Sequence, residues 1–209
     1  MSGIITMSLF AWMMIVLVSC GQETAPEQTA QRAQQVQTAS TSGPPTSQPV
    51  GMTSSAAGAT WNVPDQWTVQ EKRPMRIATY NVQPASGDTE PGECAIFFFG
   101  TGEGGSVEMN LARWKDQFST ADGKEAVLTQ NESTINGLAV TTTSISGTYL
   151  ASMGPMFQSG AAKKIGYKML GAIVTAPEGN VFIKFTGPEK TIDAASKEFN
   201  DMINSVRIK

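Results

Sequence analysis

Ala126-Val127-Leu128-Thr129-Gln130-Asn131-Glu132-Ser133 and Leu138-Ala139-Val140-Thr141-Thr142-Thr143-Ser144-Ile145-Ser146-Gly147-Thr148-Tyr149 stand on either side of Asn136-Gly137. Both flanks are rich in threonine and branched aliphatics, the composition of strands. Asn-Gly tolerates the positive φ angles of a type I′ turn, the tightest link between antiparallel strands. A hairpin is therefore predicted, and a second follows it: Tyr167 to Thr175 and Val181 to Phe185 flank the longer turn Ala176-Pro177-Glu178-Gly179-Asn180.

Upstream, a short strand is expected at Trp67 to Gln70 and another in Met75 to Val82, after Pro74. Cys94-Ala95-Ile96-Phe97-Phe98-Phe99 is apolar without alternation, as in a strand covered on both faces. Helices on two sides of one sheet are implied, and two are available. Ser106 can cap a helix whose Val107, Leu111, Trp114 and Phe118 share one face. A second runs from about Glu189 to Ser205, opened by Pro188, with Ile192, Ala195, Phe199, Met202, Ile203 and Val206 on one side. Strands, helix, four strands, helix, with hairpins between, make an α+β fold: a mainly antiparallel sheet packed between helices in an α/β/α sandwich. It spans 61–209, the ordinary length of one domain.

Before it, Gly21 to Thr60 has no aromatic residue and few charges, and is rich in Gln, Thr, Ser, Ala and Pro. Such a stretch cannot bury enough apolar surface to offset its ordering entropy, so 20–60 is expected as a disordered tether of roughly 35 Å average span. Ahead of it lies the charge-free apolar run Ile4 to Val18, shorter than the roughly 20 residues of a spanning helix, closed by Leu17-Val18-Ser19-Cys20. That pattern resembles the signal and lipobox of bacterial lipoproteins: 1–19 as signal peptide, acylation of Cys20, and attachment to a membrane through more than one chain. Gly21, where aspartate would direct inner-membrane retention, favours the outer membrane, with the domain facing the periplasm. Cys94 then has no partner in the chain and is expected in the core.

Net charge is −3 and no basic cluster exceeds Lys163-Lys164, which argues against nucleic acid as a partner. With no histidine, Ser-His-Asp and Cys-His machinery is excluded, as are histidine-bearing zinc sites. No metal or cofactor is expected. Gly100-Thr101-Gly102-Glu103-Gly104-Gly105 matches a dinucleotide fingerprint and sits between a strand and a helix. Glu103 would repel a pyrophosphate, however, and hairpins replace βαβ units, so a tight turn is the better reading. Leu150 to Ile165, which carries Met153, Met156 and Phe157, is the one candidate interaction loop; the alternative is that these side chains cover a sheet edge.

Val63-Pro64-x-x-Trp67, Pro74-Met75-Arg76-x-Ala78-x-Tyr80, Phe98-x-Gly100-x-Gly102-x-Gly104-Gly105-Ser106-Val107, Gly166-Tyr167-x-x-Leu170-x-Ala172-Ile173-Val174 and Phe185-Thr186-Gly187-Pro188 together resemble an uncharacterised family of bacterial lipoproteins. The element order is similar to the PsbP-like fold. That resemblance implies a fold used by an extrinsic photosystem subunit and by a nuclear import factor, neither an enzyme, and transfers no site residue to this chain. The expected function is a non-catalytic envelope lipoprotein that binds an envelope protein or component. The alternative is a hydrolase or small-ligand module using carboxylates in a cleft.

Overall fold

A computed structural model describes residues 52–151 and 162–209. Cys20, Met153, Met156 and Phe157 lie outside the described residues. The elements in order are β1 (Thr53–Ala56), β2 (Ala59–Asn62), β3 (Thr68–Val69), β4 (Ala78–Val82), β5 (Gly92–Phe97), α1 (Val107–Lys115), β6 (Phe118–Ser119), β7 (Leu128–Ile135), β8 (Leu138–Ala151), β9 (Ala162–Ala176), β10 (Gly179–Pro188), α2 (Glu189–Ala194), α3 (Ser196–Asn204) and β11 (Arg207–Ile208). The main sheet runs β3-β4-β5-β10-β9-β8-β6, with β7 also paired to β8, and β1-β2-β11 form a second, small sheet. All these pairings are antiparallel.

The two hairpins supply β7 to β10, with β8, β9 and β10 inside the sheet and β7 at its edge. Asn136 and Gly137 take φ of 49° and 83°, the type I′ geometry, and pin Ile135 opposite Leu138. Asn136 Nδ2 also donates to the Val206 carbonyl at 2.7 Å, tying the tip to the C-terminal segment. The second turn is tighter than the five residues expected. Ala176 already pairs with Gly179, so only Pro177 and Glu178 are unpaired.

Helices cover both faces. On one, Cys94, Ile96, Val140, Ala172, Val174, Val181, Ile183 and Phe185 bury against Ile192, Ala195, Phe199, Met202 and Ile203 of the C-terminal helical segment. On the other, Ile145, Met169, Ile173 and Phe182 pack under Leu111 and Trp114 of α1. Burying both faces of β10 and β5 requires the unbroken apolar runs seen in the sequence. Ser106 caps α1, its Oγ accepting from the Met109 N–H at 3.2 Å. Phe118, expected on that helix, instead enters β6 opposite Tyr149.

Two other expectations change. The single C-terminal helix breaks at Ala195, where Ser196 Oγ donates to the Asp193 carbonyl at 2.7 Å, in competition with the backbone ladder. Strand structure also precedes residue 61: residues 53–60, expected as tether, form β1 and the first half of β2, joined through Ala57 and Gly58 at φ of 52° and 75°. The apolar anchors of this hairpin are alanines: Ala57 and Ala59 are buried beside Trp61. Their small size hides them in a low-hydrophobicity stretch. Lys209 donates its backbone N–H to Gly58 O and Glu178 to Ala57 O, so the hairpin is held by the β9–β10 turn and by the C-terminal residue.

Candidate functional site

A nine-residue helix is about 14 Å long, too short to cover the breadth of the main sheet. Trp114 of α1 lies directly on Gly171, where a Cβ would meet the indole at 2.6 Å and Thr143 at 2.7 Å. Past that point the sheet face is open. There β5, β10, β9 and β8 present Glu93, Ala95, Phe97, Lys184, Thr186, Tyr167 and Tyr149, and Arg76 reaches in from the segment before β4. Register brings them together: Lys184 pairs with Ala95 and Gly171, Thr186 with Glu93 and Met169, and the bulge between Gly147 and Tyr149 returns Tyr149 to the side of Tyr167. The result is a cleft of about 240 Å³.

Its chemistry is cationic and aromatic. The Lys184 ammonium donates to Gln117 Oε1 and, at 3.3 Å, to Tyr149 Oη, and stands 4.9 Å from the Tyr149 ring centroid. Burial pushes its pKa down to about 8, and the positive charges of Arg76 and Arg113 push the same way against the pull of Glu93. Glu93 is held by two arginines, Arg76 at 2.8 Å and Arg73 at 2.9 Å. Arg76 also lies 5.5 Å from the centroid of Phe97. At the rim, Glu90 accepts from Lys164 at 2.5 Å and from the Tyr167 hydroxyl at 2.7 Å, and these donors hold its carboxyl below the usual range. Burial and then Glu90 raise the Tyr167 phenol. Tyr149 and Tyr167 stack at 6.0 Å and 11°. Thr186 Oγ1 is out of contact with solvent and has no hydrogen-bond partner.

Of the residues singled out from sequence, Cys94 and the glycine-rich segment are described, and neither lines this cleft. Cys94 is fully buried on the opposite face, its thiol pushed far up by burial and then by Glu93, which leaves it inert as a nucleophile. The glycine-rich segment is a tight turn. Gly104 has φ of 88°, and a Cβ there would meet the Phe182 ring at 2.7 Å and Phe99 at 2.8 Å, so packing and backbone angle both demand glycine. Among the described residues no group of three His, Cys, Asp or Glu could hold a metal. The carboxylate in the cleft, Glu93, is neutralised by its two arginines, which gives no support to a paired-carboxylate hydrolase there. A larger concavity of about 650 Å³ lies between Asn62–Gln66 and α3, but it is a shallow surface feature whose Glu198 accepts from Trp67 Nε1 and whose Asp201 pairs with Lys197.

The sequence did hold one sign of the cleft: a lysine inside Val181-Phe182-Ile183-Lys184-Phe185, a run otherwise apolar. Charged side chains are almost never buried unless paired.

No protein-family profile matches the chain, and no curated protein matches it in sequence. Solved structures do resemble its fold. A Pseudomonas aeruginosa protein of unknown function is 12% identical, with a TM-score of 0.43 over 74% of this chain and 94% of that one. The cyanobacterial PsbP of Synechocystis is 10% identical, with a TM-score of 0.46 over 73% of this chain and 88% of that one. A Bacteroides thetaiotaomicron protein overlaps 73% of this chain and 45% of its own, at a TM-score of 0.29 and 12% identity. Likeness at this level assigns no activity.

Proposed function

We propose that the chain is a lipid-anchored protein of the bacterial envelope whose domain binds a ligand without transforming it. Leu17-Val18-Ser19-Cys20 and the resemblance to a lipoprotein family support the anchor. The observation that carries the binding reading is the cleft. Its carboxylate is shared between Arg73 and Arg76, its lysine faces neutral partners, and its walls are aromatic rings, an arrangement suited to holding an anion. The tether between Cys20 and the domain lets such a cleft search near the membrane at raised effective concentration.

The anchor is tested by radiolabelled palmitate and membrane fractionation. Wild-type protein is expected to take up label and sediment with membranes, and Cys20→Ser to do neither. Membrane attachment unchanged by Cys20→Ser would overturn the anchor. Crosslinking in membranes followed by mass spectrometry identifies the binding partner, and turnover of a substrate by the purified protein would overturn the non-catalytic reading.

A further inference from the structure

Lys184 is the cation in the cleft that pairs with no carboxylate among the described residues. Its hydrogen bonds go to the Gln117 amide and the Tyr149 hydroxyl, both neutral. The other two cations of the lining are answered, Arg76 by Glu93 and Lys164 by Glu90. Lys184 is therefore a positive charge without a carboxylate partner in a half-buried place, on a protein whose net charge is −3. The cavity, about 240 Å³, is smaller than the roughly 300–1,000 Å³ that take drug-sized ligands, so its occupant is small. Thr186 lines the same cavity, and its hydroxyl is buried without a hydrogen-bond partner. Phe97 and the stacked pair of Tyr149 and Tyr167 supply flat apolar wall.

We infer that the cleft binds a small monocarboxylate with a flat apolar body, its oxygens on Lys184 and Arg76 and its body against the Tyr149–Tyr167 pair. Arg76 engages Glu93 and Thr79 through one terminal nitrogen, which leaves guanidinium N–H groups for the ligand. Hydrogen bonds between ionised partners are about twice as strong as neutral ones, and the half-buried site shields them from salt. This inference rests on the domain being a binding module.

Benzoate is the probe, titrated calorimetrically into the purified full-length chain, with benzamide as a neutral molecule of the same shape. Benzoate is expected to saturate one site, benzamide to bind at least roughly tenfold more weakly, and Lys184→Met to weaken benzoate by roughly tenfold or more. Thr186→Val keeps shape and loses the hydroxyl; it is expected to weaken benzoate severalfold with an unchanged circular dichroism spectrum. If Lys184→Met fails to fold, Thr186→Val and the benzamide comparison decide. No saturation at millimolar benzoate, equal binding of benzamide, or wild-type affinity in both variants would overturn the inference while leaving the anchor intact. Hydrolysis of benzamide would instead overturn the non-catalytic reading beneath it.

Discussion

Holding Lys184 in its cleft costs stability, and the cost has a pH signature. The side chain's pKa falls from its ordinary 10.5 to about 8 in the folded protein, a shift worth about 3 kcal/mol at 1.36 kcal/mol per unit. Below pH 8 both folded and unfolded chains carry the proton, and the whole cost is present. Between 8 and 10.5 the folded chain has released the proton and the unfolded chain has kept it, so stability rises with pH. For one group the rise between pH 7 and 9.5 comes to about 2 kcal/mol. Lys184→Met removes the titration and keeps an unbranched side chain, so wild-type stability minus variant stability should climb by that amount over the window. Urea unfolding followed by tryptophan fluorescence at pH 7, 8, 9 and 9.5 measures it. Taking the difference cancels the other titrating groups, including Tyr80, Tyr149 and Tyr167, whose raised phenols titrate above the window. Parallel stability curves for the two proteins would refute the claim that Lys184 is held against its own hydration.

Gly171→Ala places a methyl 2.6 Å from the Trp114 ring and 2.7 Å from Thr143, between a core indole and a sheet neighbour, so a loss of about 1–3 kcal/mol is expected, read as a lowered thermal midpoint. Asn136→Ala forces alanine to φ near 49° and removes the 2.7 Å bond to Val206 O, which should cost about 1–2 kcal/mol in urea unfolding; a neutral result would mean that the turn does not set the hairpin register.

The parts of the fold legible in the sequence are those written in local chemistry. Asn136-Gly137 encodes its turn in two residues, Ser106 its cap in one, and the apolar run through Ile96 its double burial in six. What was hidden depends on partners far along the chain. Residues 53–60 pair as strands because Asn62, Arg207 and Ile208 provide backbone partners and Trp61 a wall for Ala57 and Ala59, none of which shows as hydrophobic periodicity. The break at Ala195 comes from a serine hydroxyl competing for one carbonyl, an effect below the level of any amphipathic pattern. The cleft was hidden for the same reason. Arg76, Glu93, Tyr149, Tyr167 and Lys184 come from five segments, and only the β5-β10-β9-β8 register sets them side by side.

That register also shows that the charge arrangement in the cleft is not the one stability alone would choose. Lys184 pairs across the strands with Ala95, which makes Glu93 its diagonal neighbour at roughly 7–8 Å between backbones, within reach of two long side chains. A direct ion pair between them would relieve much of the cost of burying the ammonium. Instead Glu93 turns to Arg73 and Arg76, and Lys184 to an amide and a phenol. The carboxylate is answered twice and the buried cation not at all. A core that served only to pack could replace such a lysine with methionine and gain stability, so its presence beside an orphaned threonine hydroxyl is what makes this cleft, rather than the larger surface concavity, the place to look for a ligand.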